Sequence, residues 1–405
     1  MRVLVINGDC IQTNTSANLC HLSYIRGLLE AGHEVTLLSA DGRDYKLDSK
    51  MEIPAQVTHY TIYGVSLYEK LSLRKKRPAV QVNTGVADHT QVPPSTKERI
   101  VRAVKNAILA CYGVHGTYAT FVRKAKGFSL DETFDYVISI STPVTSHLLT
   151  HNLLKAGHIK AAHWIQIWED PWYSDAYGFN GKEKIRKEEK RLLSFAEKVC
   201  YVSPLTLENQ KRLFPESAEK MIWMPLPAYY KNNESEQKHS QKNVYGYFGA
   251  YYPAARDLEP FYAAAKKTEI STNICGDPSD LFRPTEQIHI HPRLPLAELK
   301  PIEDCTNVLV FLCNRKGGQI PGKIYQYSAT NKTILFILDG TEEEQAVLKT
   351  FFGKFNRYVF CQNTVDDIAR AIRQIEAGDL GTAQNAALND FEPKKIVERI
   401  LEAGR

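Results

Sequence analysis

Short apolar runs recur along the chain and are separated by stretches whose apolar residues repeat with helical spacing. Residues 2–6 form the first run. Residues 16–31 follow with Leu19, Leu22, Ile25, Leu28 and Leu29 on one face and stop at Gly32, and 34–39 are apolar again. This strand, helix, strand order predicts a parallel, doubly wound α/β sheet. The loop after the first strand, Asn7-Gly8-Asp9-Cys10-Ile11-Gln12, lacks the Gly-x-Gly-x-x-Gly fingerprint of nicotinamide dinucleotide enzymes, which argues against a dehydrogenase.

The alternation is interrupted over about 65–128 by a polar stretch carrying Pro78, Pro93 and Pro94 and an amphipathic helix expected near 95–114. It resumes with strands at 136–140, 162–168, 199–202 and 221–224 and a charged helix over 182–197. Residues 231–242 are polar and rich in Asn, Glu, Gln and Lys, as an interdomain linker is. Beyond them the pattern restarts with strands at 244–248, 270–275, 288–291, 308–312 and 334–338, and a last helix over 393–403. Two sheet-forming halves are therefore expected, 1–230 and 243–390, and the C-terminal helix within 391–405 could dock on either.

A length of 405 residues suits two domains, and 43% hydrophobic with 24% charged residues is the composition of a folded globular protein. No apolar run reaches the roughly 20 residues that cross a bilayer, and the N-terminus becomes polar too early for a secretory signal. A cytoplasmic protein is expected. The eight cysteines are scattered without metal-binding spacing, so free thiols are expected and no metal site. Charge sharpens the picture: 69–126 holds twelve basic and three acidic residues, a local +9 within a chain of net +5. That asymmetry suggests an anionic partner, either phospholipid headgroups or a lipid-linked phosphate, and thus peripheral contact with the inner membrane face. Nucleic acid is disfavoured, because no recognition motif accompanies the charge.

The strongest chemical signal is Gly317-Gly318-Gln319-Ile320-Pro321-Gly322-Lys323-Ile324-Tyr325-Gln326-Tyr327 ahead of the apolar run at 333–338. It reads as a glycine-rich loop opening a helix, with Pro321 in the first turn, backbone N–H groups at Gly322 and the Lys323 cation all favouring an anion. Gln326 adds a neutral hydrogen-bonding group one turn on. Gly249 leaves the 244–248 strand, and Arg256 follows it with a planar fork suited to phosphate. In the first half, Gln166-Ile167-Trp168-Glu169-Asp170-Pro171-Trp172 places acids at a strand end, where Glu169 and Asp170 could move protons and Trp172 could stack on a sugar. His163 lies on the same strand and is either a core histidine or a catalyst. Asn14, Thr15 and Ser16 read as a helix cap that could also expose N–H groups to an acceptor. Asp277 and Asp280 read as turn residues.

Together these residues resemble the GT-B glycosyltransferases, specifically the family 4 group containing many bacterial cell-surface polysaccharide enzymes. The carriers are Val3-Leu4-Val5-Ile6 with Gly32-His33-Glu34-Val35, Glu169-Asp170-Pro171-Trp172, Tyr201-Val202-Ser203, and Ile320 through Tyr327. The resemblance implies two Rossmann-like, doubly wound domains facing each other across a cleft, with the C-terminal helix 391–405 crossing back to the first, a nucleoside-diphosphate sugar bound by the second and a glycan or lipid-linked acceptor by the first. It implies metal-independent, retaining transfer with no cofactor beyond the nucleotide sugar. Arg256, Lys323, Gly322, Gln319 and Pro321 would surround the diphosphate, and Arg293 with Leu294 would face the base. Relatives often carry two glutamates where this chain has Gly318 and Gln326, so sugar recognition differs here. A nucleotide-sugar epimerase of similar fold and a non-catalytic sugar-nucleotide-binding subunit are the alternatives.

Overall fold

The computed structural model describes residues 1–74, 103, 105, 107–175, 182–229, 242–277, 280–316 and 318–404. Half of the helix expected over 95–114, most of the basic stretch within 69–126, nearly all of the 231–242 linker, and Gly317 lie outside the described residues. The chain divides into two compact units: Met1–Val202 with Thr206–Met224 and Val397–Arg405, and Ser203–Leu205 with Pro225–Ile396.

The first unit is built on a seven-stranded sheet of β1 (Arg2–Asn7), β2 (Glu34–Ala40), β3 (Thr58–Ile62), β4 (Thr133–Ser141), β5 (Lys160–Trp168), β6 (Lys198–Tyr201) and β7 (Met221–Trp223). Their order is β3-β2-β1-β4-β5-β6-β7, every pairing parallel. Starting at β1, the chain runs outward to β3 and then crosses back to β4, which makes the β1/β4 boundary the switch point of this sheet. Helix α1 (Ser16–Glu30) forms because Thr15 caps it by accepting the Asn18 N–H, while Leu19, Leu22, Ile25 and Leu28 turn inward. The last turns of the C-terminal helix Pro393–Ala403 pack on this unit, where the Tyr136 hydroxyl donates to the Leu401 carbonyl at 3.3 Å.

The second unit carries β8 (Val244–Phe248), β9 (Ser271–Cys275), β10 (Ile288–His291), β11 (Val308–Leu312), β12 (Thr333–Leu338) and β13 (Val359–Gln362), in the order β10-β9-β8-β11-β12-β13 and again all parallel. Its switch point is β8/β11. The runs Val308–Leu312 and Thr333–Leu338 are buried on both faces, which is why they read as unbroken apolar segments rather than alternating ones. Edge strands β3 and β13 carry no such signal. β3 is mostly solvent-facing, and its Thr-His-Tyr-Thr-Ile sequence does not separate a core face from a polar one.

Phe336 of β12 is fully buried and meets Phe311, Phe352, Phe360 and Tyr358 at ring-centroid distances of 4.6 to 5.5 Å. Truncating it opens a cavity that the four surrounding rings cannot all collapse into. Phe336→Ala is expected to cost about 3–5 kcal/mol, read as an earlier transition of the second unit in chemical denaturation. A loss below about 1 kcal/mol would show that the cluster repacks.

Candidate functional site

Loops that leave central strands at a switch point diverge and leave a crevice at the carboxyl ends of the strands. In the second unit this is where Arg256 lies. Its Nε donates to Asn314 Oδ1 at 2.7 Å and its Nη1 to the Ala250 carbonyl at 3.3 Å, while Asn314 Nδ2 donates to the Gln319 carbonyl at 3.0 Å. One side-chain relay thus joins the loops after β8 and β11 to the glycine-rich loop. Asn314 carries no signal in the sequence, because a lone asparagine after a strand looks like any turn residue.

On the outer side of β8 the backbone is tightly packed. A Cβ on Gly276 would come within 2.3 Å of the Gly249 carbonyl oxygen, so the ends of β8 and β9 touch through their main chains. Next to them Arg293 donates to both carboxylate oxygens of Asp277, at 2.5 and 3.2 Å. Asp277 is therefore not merely a turn residue. It is the largely buried anchor of Arg293, and Leu294 follows half-exposed.

The expected anion cradle is altered in two respects. Pro321 precedes the helix rather than sitting in its first turn, since Gly322 is the N-cap and the helix, Lys323–Ser328, has six residues. So short a helix sums little dipole at its N-terminus. Lys323, moreover, is ion-paired: its Nζ donates to Glu303 Oε1 at 3.1 Å, with side chains only 24% and 15% exposed. Glu303 sits on the helix Leu296–Asp304, twenty residues earlier, and local spacing does not reveal it. Gln319 is buried, and Gln326 is 7% exposed with an Oε1 that has no hydrogen-bond partner among the described residues.

In the first unit the switch point is tied by the Gly8 N–H donating to Ser146 Oγ at 2.8 Å. The β1 loop is shaped by Asn18, whose Nδ2 donates to Cys10 and Thr13 carbonyls at 3.0 and 3.1 Å and to Thr13 Oγ1 at 2.8 Å. Thr15 is the helix cap, Ser16 the first helical residue, and Asn14 donates to Asp48 Oδ2 at 2.9 Å. At the end of β5, Asp170 is exposed and Glu169 is 8% exposed, with Glu169 Oε2 at 3.4 Å from His21 Nε2. Burial raises the Glu169 carboxyl above the usual range against the opposing pull of His21. Asp9, on the β1 loop, is pushed up to about 6, chiefly by burial and further by Glu69. Tyr118 is raised first by the charge of Asp9, and Tyr45 by burial and then Asp9. Carboxyls shifted toward neutrality at strand ends can take up and hold a proton.

Two expected site residues lie apart from these groups. His163 lies six residues before Glu169 on an extended strand, roughly 20 Å away. There its Nδ1 contacts Glu197 Oε2 at 2.8 Å and its ring packs on Tyr136. Trp172 is 8% exposed and stacks on His115 at 5.2 Å within an apolar cluster, so it offers no open face to a sugar. Its loop is instead held by Glu189, a fully buried side chain that accepts the Trp172 and Tyr173 N–H groups at 3.3 and 2.6 Å.

No family model and no curated protein matches the chain. Among solved structures, sucrose-phosphate synthase of Thermosynechococcus elongatus is 12% identical, aligned over 100% of this chain and 94% of its own with a TM-score of 0.55. A glycosyltransferase from Rickettsia africae is 11% identical over 99% and 97% of the two chains, TM-score 0.55. The E. coli structure described as trehalose-6-phosphate bound with UDP-2-fluoro glucose is 10% identical over 99% and 98%, TM-score 0.56. With two all-parallel Rossmann-like sheets, the fold of this chain is GT-B.

Burial raises the Glu189 carboxyl to about 7, opposed by the N–H groups it accepts from. A folded-state value above the unfolded one stabilises the native state at low pH, and that stability is lost as pH rises through about 7. The wild type is therefore expected to lose on the order of 3 kcal/mol more than Glu189→Gln between pH 4.5 and 8. Denaturation midpoints of the two proteins across that range read the difference, and parallel curves would refute the buried-acid assignment.

Proposed function

We propose that the chain is a retaining glycosyltransferase that moves a sugar from a nucleoside-diphosphate sugar to a glycan or lipid-linked acceptor in cell-surface polysaccharide synthesis. The observation that carries this reading is the Arg256–Asn314–Gln319 relay at the β8/β11 switch point of a GT-B fold. It sets a guanidinium beside a loop rich in backbone N–H groups, where a diphosphate would be held as it departs. Gly322 and Pro321 complete that loop, Lys323 would exchange Glu303 for phosphate, and Gln326 would meet the ribose. Gly249, Arg293 and Leu294 would border the base. The E. coli structure bound with UDP-2-fluoro glucose makes uridine diphosphate the first nucleotide to test.

Acceptor binding falls to the β5 and β1 ends, with Glu169 or Asp170 receiving the hydroxyl proton and Asn14, Thr15 and Ser16 at the rim. No carboxylate is assigned as a nucleophile. Same-face attack assisted by the leaving diphosphate follows from the family resemblance, and so does the absence of a metal requirement. The basic residues of 69–126 would bring the protein to an anionic membrane surface; among the described residues no helix is long and apolar enough to cross one.

Uridine diphosphate at about 100 times its Kd should stabilise the wild type by about 2.7 kcal/mol, and Arg256→Ala should abolish the thermal shift. Arg256→Lys, which keeps the charge but loses the fork, should retain only part of it. No shift with any nucleoside diphosphate or its sugars would overturn the donor assignment. With a binding donor alone, slow hydrolysis is expected, and epimerised donor would show the epimerase alternative instead. Vesicles containing anionic lipid should retain the protein at low salt and release it at about 0.5 M, whereas neutral vesicles should not retain it.

A further inference from the structure

We propose that His21 is the positioning residue for Glu169: the two form a buried pair that orients the Glu169 carboxylate to receive the proton of an acceptor hydroxyl. The pairing is independent of the transfer reading, whereas the role in proton transfer rests on it.

His21 lies in the second turn of α1, a helix started by the Thr15 cap beside the β1 loop, and Glu169 is the first residue after β5. Strand β4 separates β1 from β5 in the sheet, so only the folded unit brings the two side chains together. The imidazole has no solvent exposure, and its Nε2 is 3.4 Å from Glu169 Oε2. Neither ring nitrogen, nor Glu169 Oε1, has a hydrogen-bond partner among the described residues. Burying two such groups together costs desolvation that an apolar pair of similar volume would avoid, so packing alone does not account for them. Their place at a strand end, next to exposed Asp170, is where a reacting hydroxyl would arrive.

The groups facing the pair are few in kind. From the β1 loop Asp9 acts on His21, and Glu69, on the helix Leu67–Arg74, acts on Asp9. Cys20 of α1 and Asp170 after β5 lie near Glu169, and Tyr45 and Tyr118 flank Asp9. All but His21 are anionic or neutral, so His21 is the group in this set that favours an ionised Glu169. In the step itself the acceptor oxygen bonds to the anomeric carbon and its proton passes to Glu169. The bond from the anomeric carbon to the diphosphate oxygen breaks, and its electron pair leaves with the diphosphate. His21 takes no proton from the acceptor and acts only through Glu169.

The test uses the full-length protein. With glutamate labelled at the side-chain carboxyl carbon, NMR follows the titration of Glu169, assigned by its loss in Glu169→Gln. His21→Leu should raise the Glu169 midpoint by about one pH unit, a tenfold tighter proton. His21→Gln, which keeps an N–H donor but loses the charge, serves as the second variant and should give a smaller upward shift. An unchanged midpoint in a folded variant overturns the pairing. For transfer from a uridine-diphosphate sugar, the acid limb of kcat/KM should move upward in step with the Glu169 midpoint, with KM for the donor unchanged. His21→Gln should recover part of the plateau rate that His21→Leu loses, because it restores orientation without charge. If the midpoint moves but the acid limb does not, the positioning role is wrong and the pair is structural. Failure of the nucleotide-binding test, with the midpoint shift intact, would fault the transferase reading alone.

Discussion

Each sheet begins at a central strand, runs outward, and returns to the other side of that strand, and this single crossover governs where polar chemistry can collect. At β1/β4 and β8/β11 the outgoing loops diverge, so main-chain groups at the strand ends are left without neighbours from the sheet. Side chains take over their hydrogen bonding. Ser146 receives the Gly8 N–H in one unit, and Asn314 takes the Arg256 donor while giving its own to Gln319 in the other. The apolar strands beneath hold these loops rigidly, because β11 and β12 are buried on both faces and β12 is wedged between aromatic rings.

The two strand-end regions differ in electrostatic character. Around β8 and β11 cations predominate, yet each is already engaged: Arg256 with Asn314 and Ala250, Arg293 with Asp277, Lys323 with Glu303. Held this way, the cations are pre-oriented by carboxylates and amide oxygens. Around β1 and β5 acids predominate and burial raises them, Asp9 to about 6 and Glu169 in the same direction. The β8/β11 ends thus gather cations and the β1/β5 ends gather acids, each set within its own unit.

Much of the fold was legible because it rests on local patterning. Val244–Phe248, Ile288–His291, Val308–Leu312 and the helix Pro393–Ala403 lie where the apolar runs and helical periods place them. The edge strands Thr58–Ile62 and Val359–Gln362 were not legible, since strands at a sheet margin need neither continuous apolar residues nor strict alternation. The candidate site was legible in part: the strand-end positions of Glu169, Asp170 and Arg256 follow from strand boundaries. The surroundings of His163 beside Glu197 and of Trp172 against His115 were not legible, because residue type and strand membership say nothing about which end of a strand, or which face of a loop, a side chain occupies.

The amino-acid sequence by itself determined the alternation of buried strands and amphipathic helices, and with it the parallel doubly wound halves, since hydrophobic burial acts on periodicities within a few neighbouring residues. Which polar groups meet was decided only by the tertiary structure. Glu303 against Lys323, Asp277 against Arg293, Asn314 between Arg256 and Gln319, and His21 behind Glu169 join residues from separate elements. Their energies depend on a few ångströms of separation and on burial, and both are set by strand order and helix packing rather than by spacing along the chain.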